Sequence, residues 1–234
     1  MNEKVKQNQS DFLEHLNSFR DKFEKFYGQK YFIDNIPEIL NESIRYINST
    51  GGKRIRPFLV YECASLFDVK FEESIDAAIA IEMVHTYSLI HDDLPAMDDD
   101  DMRRGNETLH KKYNEAIAIL SGDALLTDSF VLLAERYKDI DINICIELIK
   151  LLSESAGSAG MVGGQILDLF SNEKNNKSID LMNEMKTGAL IRCATCFGAI
   201  LGKGSKEDFN NMYNYGNSIG KVFQIKDDLL DLKG

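Results

Sequence analysis

His91-Asp92-Asp93-Leu94-Pro95-Ala96-Met97-Asp98-Asp99-Asp100-Asp101, with Arg103-Arg104 just behind it, is the stretch on which the reading of this chain turns. Six carboxylates stand within eleven residues. Carboxylates this close repel one another unless a cation sits among them. Hard divalent cations, magnesium above all, take oxygen ligands of this type and bridge to phosphate oxygens. The stretch therefore reads as a site for a metal-bound diphosphate. A solvated acidic loop is the plainer reading of such a run taken alone.

The flanking residues favour the site. An apolar helical pattern leads into it through Ile75, Ala78, Ile79, Ile81, Met83, Val84, Leu89 and Ile90, predicting a helix from about Glu72 to Asp93. Asp92 and Asp98 are six apart, which on a straight helix puts them on different faces. Pro95 cannot continue the backbone ladder. If Pro95 and Ala96 bulge out, the two carboxylates return to an effective i, i+4 relation. A second acidic group follows near the end, Asp227, Asp228 and Asp231, spaced to lie on one helix face. Two such clusters on apolar helices, facing each other across a cavity, would hold several Mg²⁺ ions.

Composition sets the frame. The chain has 234 residues, 44% of them hydrophobic, enough for one sizeable core. Prolines number three and no stretch alternates as a strand would, so an all-α fold is expected. A formal net charge of −11 argues against nucleic acid or an anionic membrane as partner. It is compatible with phosphate ligands once bound cations are counted. No apolar run reads as a bilayer span and the N-terminus is polar, so no membrane insertion and a cytoplasmic location are expected. Cys193 and Cys196 form a C-x-x-C, but within an apolar helical run and with no second pair. Buried reduced thiols are the expected state.

Along the chain, residues 10–27 read as an amphipathic helix striped by Phe12, Leu16, Phe19, Phe23 and Phe26. Pro37 marks the first turn of the next, which stops before Gly51. Gly51-Gly52-Lys53-Arg54-Ile55-Arg56-Pro57 is a cation-rich turn at a helix entry, suited to phosphate oxygens or to plain surface exposure. Residues 112–137 and 140–156 read as core helices. Gly157, Gly160, Gly163 and Gly164 then admit a close helix approach, with Gln165 and Asp168 facing the cavity. Lys186-Thr187-Gly188 sits mid-helix, where glycine costs about 1 kcal/mol relative to alanine. A local bend with exposed carbonyls is predicted there.

These pieces, in this order, resemble the trans-polyprenyl diphosphate synthases, most closely those of the bacterial farnesyl type. The resemblance rests on Gly51 to Pro57, Met83 to Gly105, Gly122 to Leu126, Gly160 to Gln165, Lys186 to Leu190 and Phe223 to Asp231. It implies an isoprenoid-synthase-type helical bundle around a central cavity, as one helical domain over residues 1–234, and a homodimer. It implies Mg²⁺-dependent head-to-tail condensation of dimethylallyl or geranyl diphosphate with isopentenyl diphosphate, giving farnesyl diphosphate and pyrophosphate. In that reading Lys53, Arg56, His85 and Arg104 hold isopentenyl diphosphate. Arg103, Lys186, Thr187 and Gln224 serve the allylic substrate and its cation. Asp92, Asp93, Asp98, Asp227, Asp228 and Asp231 hold the metal. Tyr87 and Ser88, one helical turn before Asp92, limit the product chain, an aromatic there acting as a stopper.

The resemblance has departures and rivals. Relatives carry Gly-Lys-Pro-Thr where this chain reads Gly105-Asn106-Glu107-Thr108. They also continue for several helices beyond Asp231, so by resemblance the domain is C-terminally incomplete. A geranylgeranyl-forming synthase and a non-catalytic subunit of a heteromeric synthase are the alternatives; the latter should lack one aspartate cluster, and both are present. A terpene cyclase would have no use for Lys53, Arg56 and His85. A His-Asp phosphohydrolase would need a partner histidine better placed than His15 or His85.

Overall fold

The computed structural model describes residues 3–30, 36–171 and 175–231, apart from the side chains of 3–7, 29–30, 176, 227–228 and 230–231. Eleven α-helices appear among them: α1 (Glu3–Lys30), α2 (Glu38–Ser49), α3 (Ile55–Ser65), α4 (Phe71–Asp92), α5 (Leu109–Lys112), α6 (Glu115–Tyr137), α7 (Ile142–Ala156), α8 (Met161–Phe170), α9 (Asn176–Asn183), α10 (Ala189–Leu201) and α11 (Lys206–Asp231). The expected all-α bundle is therefore observed.

The middle helix is α4. Every residue from Ser74 to Val84 is buried. A helix apolar all round belongs in the centre of a bundle. It packs against α3, α6 and α10. Two acids interrupt its apolar surface, and each has a guanidinium partner. Glu82 receives Arg54 Nη1 at 2.6 Å, and Asp76 lies 2.9 Å from Arg136 Nε.

The first helix is longer at both ends than its aromatic stripe predicts. Phe19 and Phe23 are buried, and Phe19 meets Phe58, Tyr61 and Phe71. Phe12, at the far end of the stripe, is 49% exposed. Pro37 sits at the N-cap of α2, with φ −54° and ψ 132°, one step outside the helix. Its carbonyl accepts from the Leu40 and Asn41 amides, so the helix starts without using the proline's missing N–H.

Two features depart from the sequence pattern. Met102–Arg103 (β1) pairs antiparallel with Asn106–Glu107 (β2) as a minimal hairpin. Its turn residues Arg104 and Gly105 have φ of 53° and 80°, the left-handed pair that a tight hairpin demands. And α6 is, by length and composition, apolar enough to cross a membrane, contrary to the expectation that no run would qualify. One face of it lies on α4, while Leu120 and Val131, three turns apart on another face, are exposed. All four cysteines are unbridged and buried, as expected. Burial pushes the Cys63 and Cys196 thiols up to about 12.

Candidate active site

The acidic stretch begins where α4 ends. The Asp93 amide still donates to Leu89 C=O at 3.1 Å, closing the last regular turn. Pro95 then offers no donor. The chain loops out, and the Asp98 amide donates to Asp92 C=O at 2.8 Å. That bond spans six residues where an α-helix spans four. Two residues are thus extruded, and Asp98 takes up the position that a residue four along would have held. The bulge expected at Pro95-Ala96 is present.

Asp92 opens into a cavity of about 410 Å³. Its polar wall is Arg56, His85, Asp92, Gln165, Lys186 and Thr187. Its apolar wall includes Tyr87, Leu89, Met97, Met161, Ile166 and Phe170. Three widely separated segments that the sequence singled out, the cationic turn, the aspartate helix and Lys186-Thr187, therefore share one hollow. Ser88 also lines it, its hydroxyl donating to His85 C=O at 2.9 Å.

Charges in the hollow are sorted by sign. Burial pushes the Asp92 carboxyl up to about 6; Lys186 and Arg103 pull it back, while Asp98 and Asp93 add repulsion. A carboxylate held this unfavourably is one that a divalent cation would relieve. At the other end, burial holds His85 well below its ordinary value, and Arg56, Arg104, Arg54 and Arg103 push it the same way. His85 is thus neutral near pH 7, beside a concentration of positive charge suited to an anion. Burial also lowers Arg104, whose guanidinium donates to Gly51 C=O from the turn of the hairpin.

Lys186 stands on a π-helical turn, Glu184–Gly188, between α9 and α10. The bend expected from a mid-helix Gly188 takes this form, and such turns are frequent at functional sites. α8 lies directly against it. A Cβ on Gly164 would sit 2.2 Å from the Lys186 backbone nitrogen, so only glycine permits the contact. Lys186 Nζ donates to Asp168 Oδ2 at 2.5 Å. Asp168 thus joins the site as a partner of Lys186.

Other expected site residues are placed differently. Asp93 is 1% exposed and turned from the cavity, receiving Arg103 Nε at 2.6 Å. Its Oδ2 has no hydrogen-bond partner among the described residues. Arg103 is therefore tied to the acidic run itself, reaching Asp100 at 3.6 Å as well. Gln224 lines a separate cavity of about 490 Å³ with Glu184, Arg192 and Asn217, because α11 covers the opposite side of the π-turn. Lys53 is exposed and lines a shallow hollow with Val222, Phe223 and Lys226. The side chains of Asp227, Asp228 and Asp231 lie outside the described residues; the helix that carries them packs on the π-turn and α10.

Two groups went unrecognised in the sequence. Arg54, read only as part of a cationic turn, is 4% exposed and binds Glu82, Glu24 at 2.7 Å and Asn48 C=O at 3.1 Å. It fixes the turn from which Arg56 reaches the cavity. The available signal was Glu82, one of two acids in an otherwise apolar run. Asp99, Asp101 and His110 each bring one ligand atom within 4.8 Å of the others, a second acidic grouping beside the first.

Residues 37–234 match the family model described as Polyprenyl synthetase. A farnesyl diphosphate synthase of Bacillus subtilis is 41% identical over 206 residues, 86% of this chain and 69% of that protein. A geranylgeranyl diphosphate synthase of Cyanophora paradoxa is 43% identical over 199 residues, 84% of this chain and 66% of that one. The chain thus spans about two thirds of the length of these curated relatives. The crystal structure of an FPP/GFPP synthase from Zymomonas mobilis superposes with a TM-score of 0.90 at 37% identity, over 95% of this chain and 82% of that one. With the aspartate bulge, the cationic turn and the Lys186 π-turn gathered around one hollow, and a family model matched across most of its length, this chain belongs to the polyprenyl synthetase family.

Proposed function

We propose that the chain carries a magnesium-dependent prenyltransferase activity, joining allylic diphosphates to isopentenyl diphosphate to give farnesyl diphosphate and pyrophosphate. One observation carries this reading above the others: an acidic wall at Asp92 and a wall of cationic Arg56 with neutral His85 face the same apolar-lined hollow. Two diphosphates and a hydrocarbon tail have somewhere to go.

Asp92 and Asp98, aligned by the bulge, are the groups that would hold Mg²⁺; Asp227, Asp228 and Asp231 are the proposed second set. When bound, magnesium neutralises the diphosphate and makes pyrophosphate a better leaving group. Lys186 leaves Asp168 for the allylic diphosphate, assisted by Arg103. The allylic C–O bond breaks, and its electron pair departs with pyrophosphate. Thr187, which lines the cavity, would face the resulting cation, and the apolar wall excludes water from it. Arg56, His85 and Arg104 hold isopentenyl diphosphate so that its double bond attacks the cation, and Lys53 would have to swing in from its neighbouring hollow to join them. The proton lost in closing the new double bond goes to pyrophosphate.

Chromatography of the products from dimethylallyl and isopentenyl diphosphates with Mg²⁺ tests the reading. A C15 product supports it; recovery of both substrates unchanged contradicts it. Tyr87, buried one turn before Asp92, is the proposed floor for the growing chain. Tyr87→Ala is expected to shift the main product to C20 or longer, and an unchanged C15 profile would place the floor elsewhere. The Cyanophora relative, a geranylgeranyl synthase, keeps a C20 main product from the unaltered chain as the second reading.

A homodimer fits the exposed apolar positions Leu120 and Val131 on α6 and Ile142 and Ile146 on α7. Sedimentation at twice the chain mass of 26.5 kDa is expected; a species of one chain mass contradicts it. Four unbridged cysteines support a cytoplasmic setting.

A further inference from the structure

We infer that His91 sets the length of tail the cavity accepts, by holding the Tyr87 ring in place. The inference rests on the proposed reading of the cavity as a prenyl-chain site. His91 and Tyr87 are one turn apart on α4, and both line the cavity. Their rings meet edge to face, with centroids 5.7 Å apart and planes at 78°.

The His91 ring is directed towards α6. Its Nε2 lies 3.1 Å from Ile119 C=O. A carbonyl only accepts, so Nε2 carries the hydrogen and donates. The neighbouring position on α6 is Gly122. A Cβ there would lie 2.1 Å from His91 Nε2 and 2.6 Å from Cδ2. The imidazole therefore occupies a slot on α6 that only glycine leaves open. With the ring in that slot, the imidazole touches both the Tyr87 ring and the α6 backbone at Gly122.

Removing the imidazole empties the slot directly beside the Tyr87 ring. The ring then has somewhere to move, and the cavity deepens along α4. His91 does not touch the proposed reacting atoms, so it is a positioning residue acting through Tyr87. An apolar pocket discriminates by about tenfold or more for each small change in the space it offers.

The test is calorimetric titration of the protein with unreactive thiolodiphosphates of geraniol, farnesol and geranylgeraniol in Mg²⁺. Wild type, His91→Ala, Tyr87→Ala and the double variant are compared. His91→Ala is expected to raise the ratio of geranylgeranyl to geranyl affinity about tenfold. In the Tyr87→Ala background the same change should move that ratio by less than about twofold, since the ring it supports is gone. His91→Asn keeps a donor for Ile119 without the ring and should shift the ratio in the same direction, should the alanine variant fail to fold. An unmoved ratio in a folded His91 variant overturns the inference, as does an equal shift with and without Tyr87. A wild type that binds all three analogues alike, or none, removes the parent reading and this inference together. A wild type that discriminates while the His91 variants do not shift removes this inference alone.

Discussion

Asp92→Ala is expected to lower the condensation rate about a hundredfold to a thousandfold, the scale seen when a preorganised electrostatic partner of a reacting group is removed. The same substitution should leave the melting temperature unchanged or slightly higher. Burial and repulsion from Asp98 and Asp93 already disfavour the Asp92 carboxylate in the folded chain, so its loss relieves the fold. This opposition of activity and stability is what separates a ligand-gathering acid from a structural one. Turnover with dimethylallyl and isopentenyl diphosphates, measured beside a thermal melt, decides between them. A variant with near-wild-type turnover would mean that Asp92 holds nothing the reaction needs. A variant that is inactive only because it melts early would mean that its role is structural.

Arg54→Ala should produce the largest loss of stability from a single side chain. Glu82 is 2% exposed, in the middle of the central helix, and its carboxylate takes Arg54 Nη1 at 2.6 Å. Truncating Arg54 leaves that charge buried and unpaired, which costs roughly 3–5 kcal/mol. Urea denaturation of the two forms measures it directly. Adding Glu82→Gln removes the orphaned charge, and recovery of a part of the loss is expected. A deficit below about 1 kcal/mol would show that water or another cation replaces Arg54. Because Arg54 anchors the turn that presents Arg56, a loss of affinity for isopentenyl diphosphate should accompany the loss of stability.

Local rules made much of this structure readable. The α4 pattern is apolar on every side, and the buried run from Ser74 to Val84 is its direct consequence. The Pro95 bulge follows from one missing amide and two carboxylates at a spacing no helix accommodates. Gly188 in mid-helix marked the π-turn, since a glycine there has a local cost that some other requirement must outweigh. What stayed hidden depended on long-range partners. Arg54 and Arg56 look alike in sequence, yet one is tied to Glu24 and Glu82 while the other lines the cavity. Asp92 and Asp93 are adjacent, and helix rotation alone sends the first to the cavity and the second to Arg103. Gln224 lies on the far side of the π-turn because of how α11 crosses it, which no spacing encodes. The hairpin at 102–107 is too short to leave a periodic trace, and its one local sign was Gly105 following Arg104.

The proposed function requires that the Asp92–Asp98 alignment gather magnesium to receive a diphosphate. Calorimetric titration with inorganic pyrophosphate, with and without Mg²⁺, measures this without requiring any turnover. Binding that appears with Mg²⁺, disappears with a chelator and is lost in Asp92→Asn is the predicted result. Pyrophosphate binding of equal strength with and without the metal, or undiminished in that variant, would contradict it.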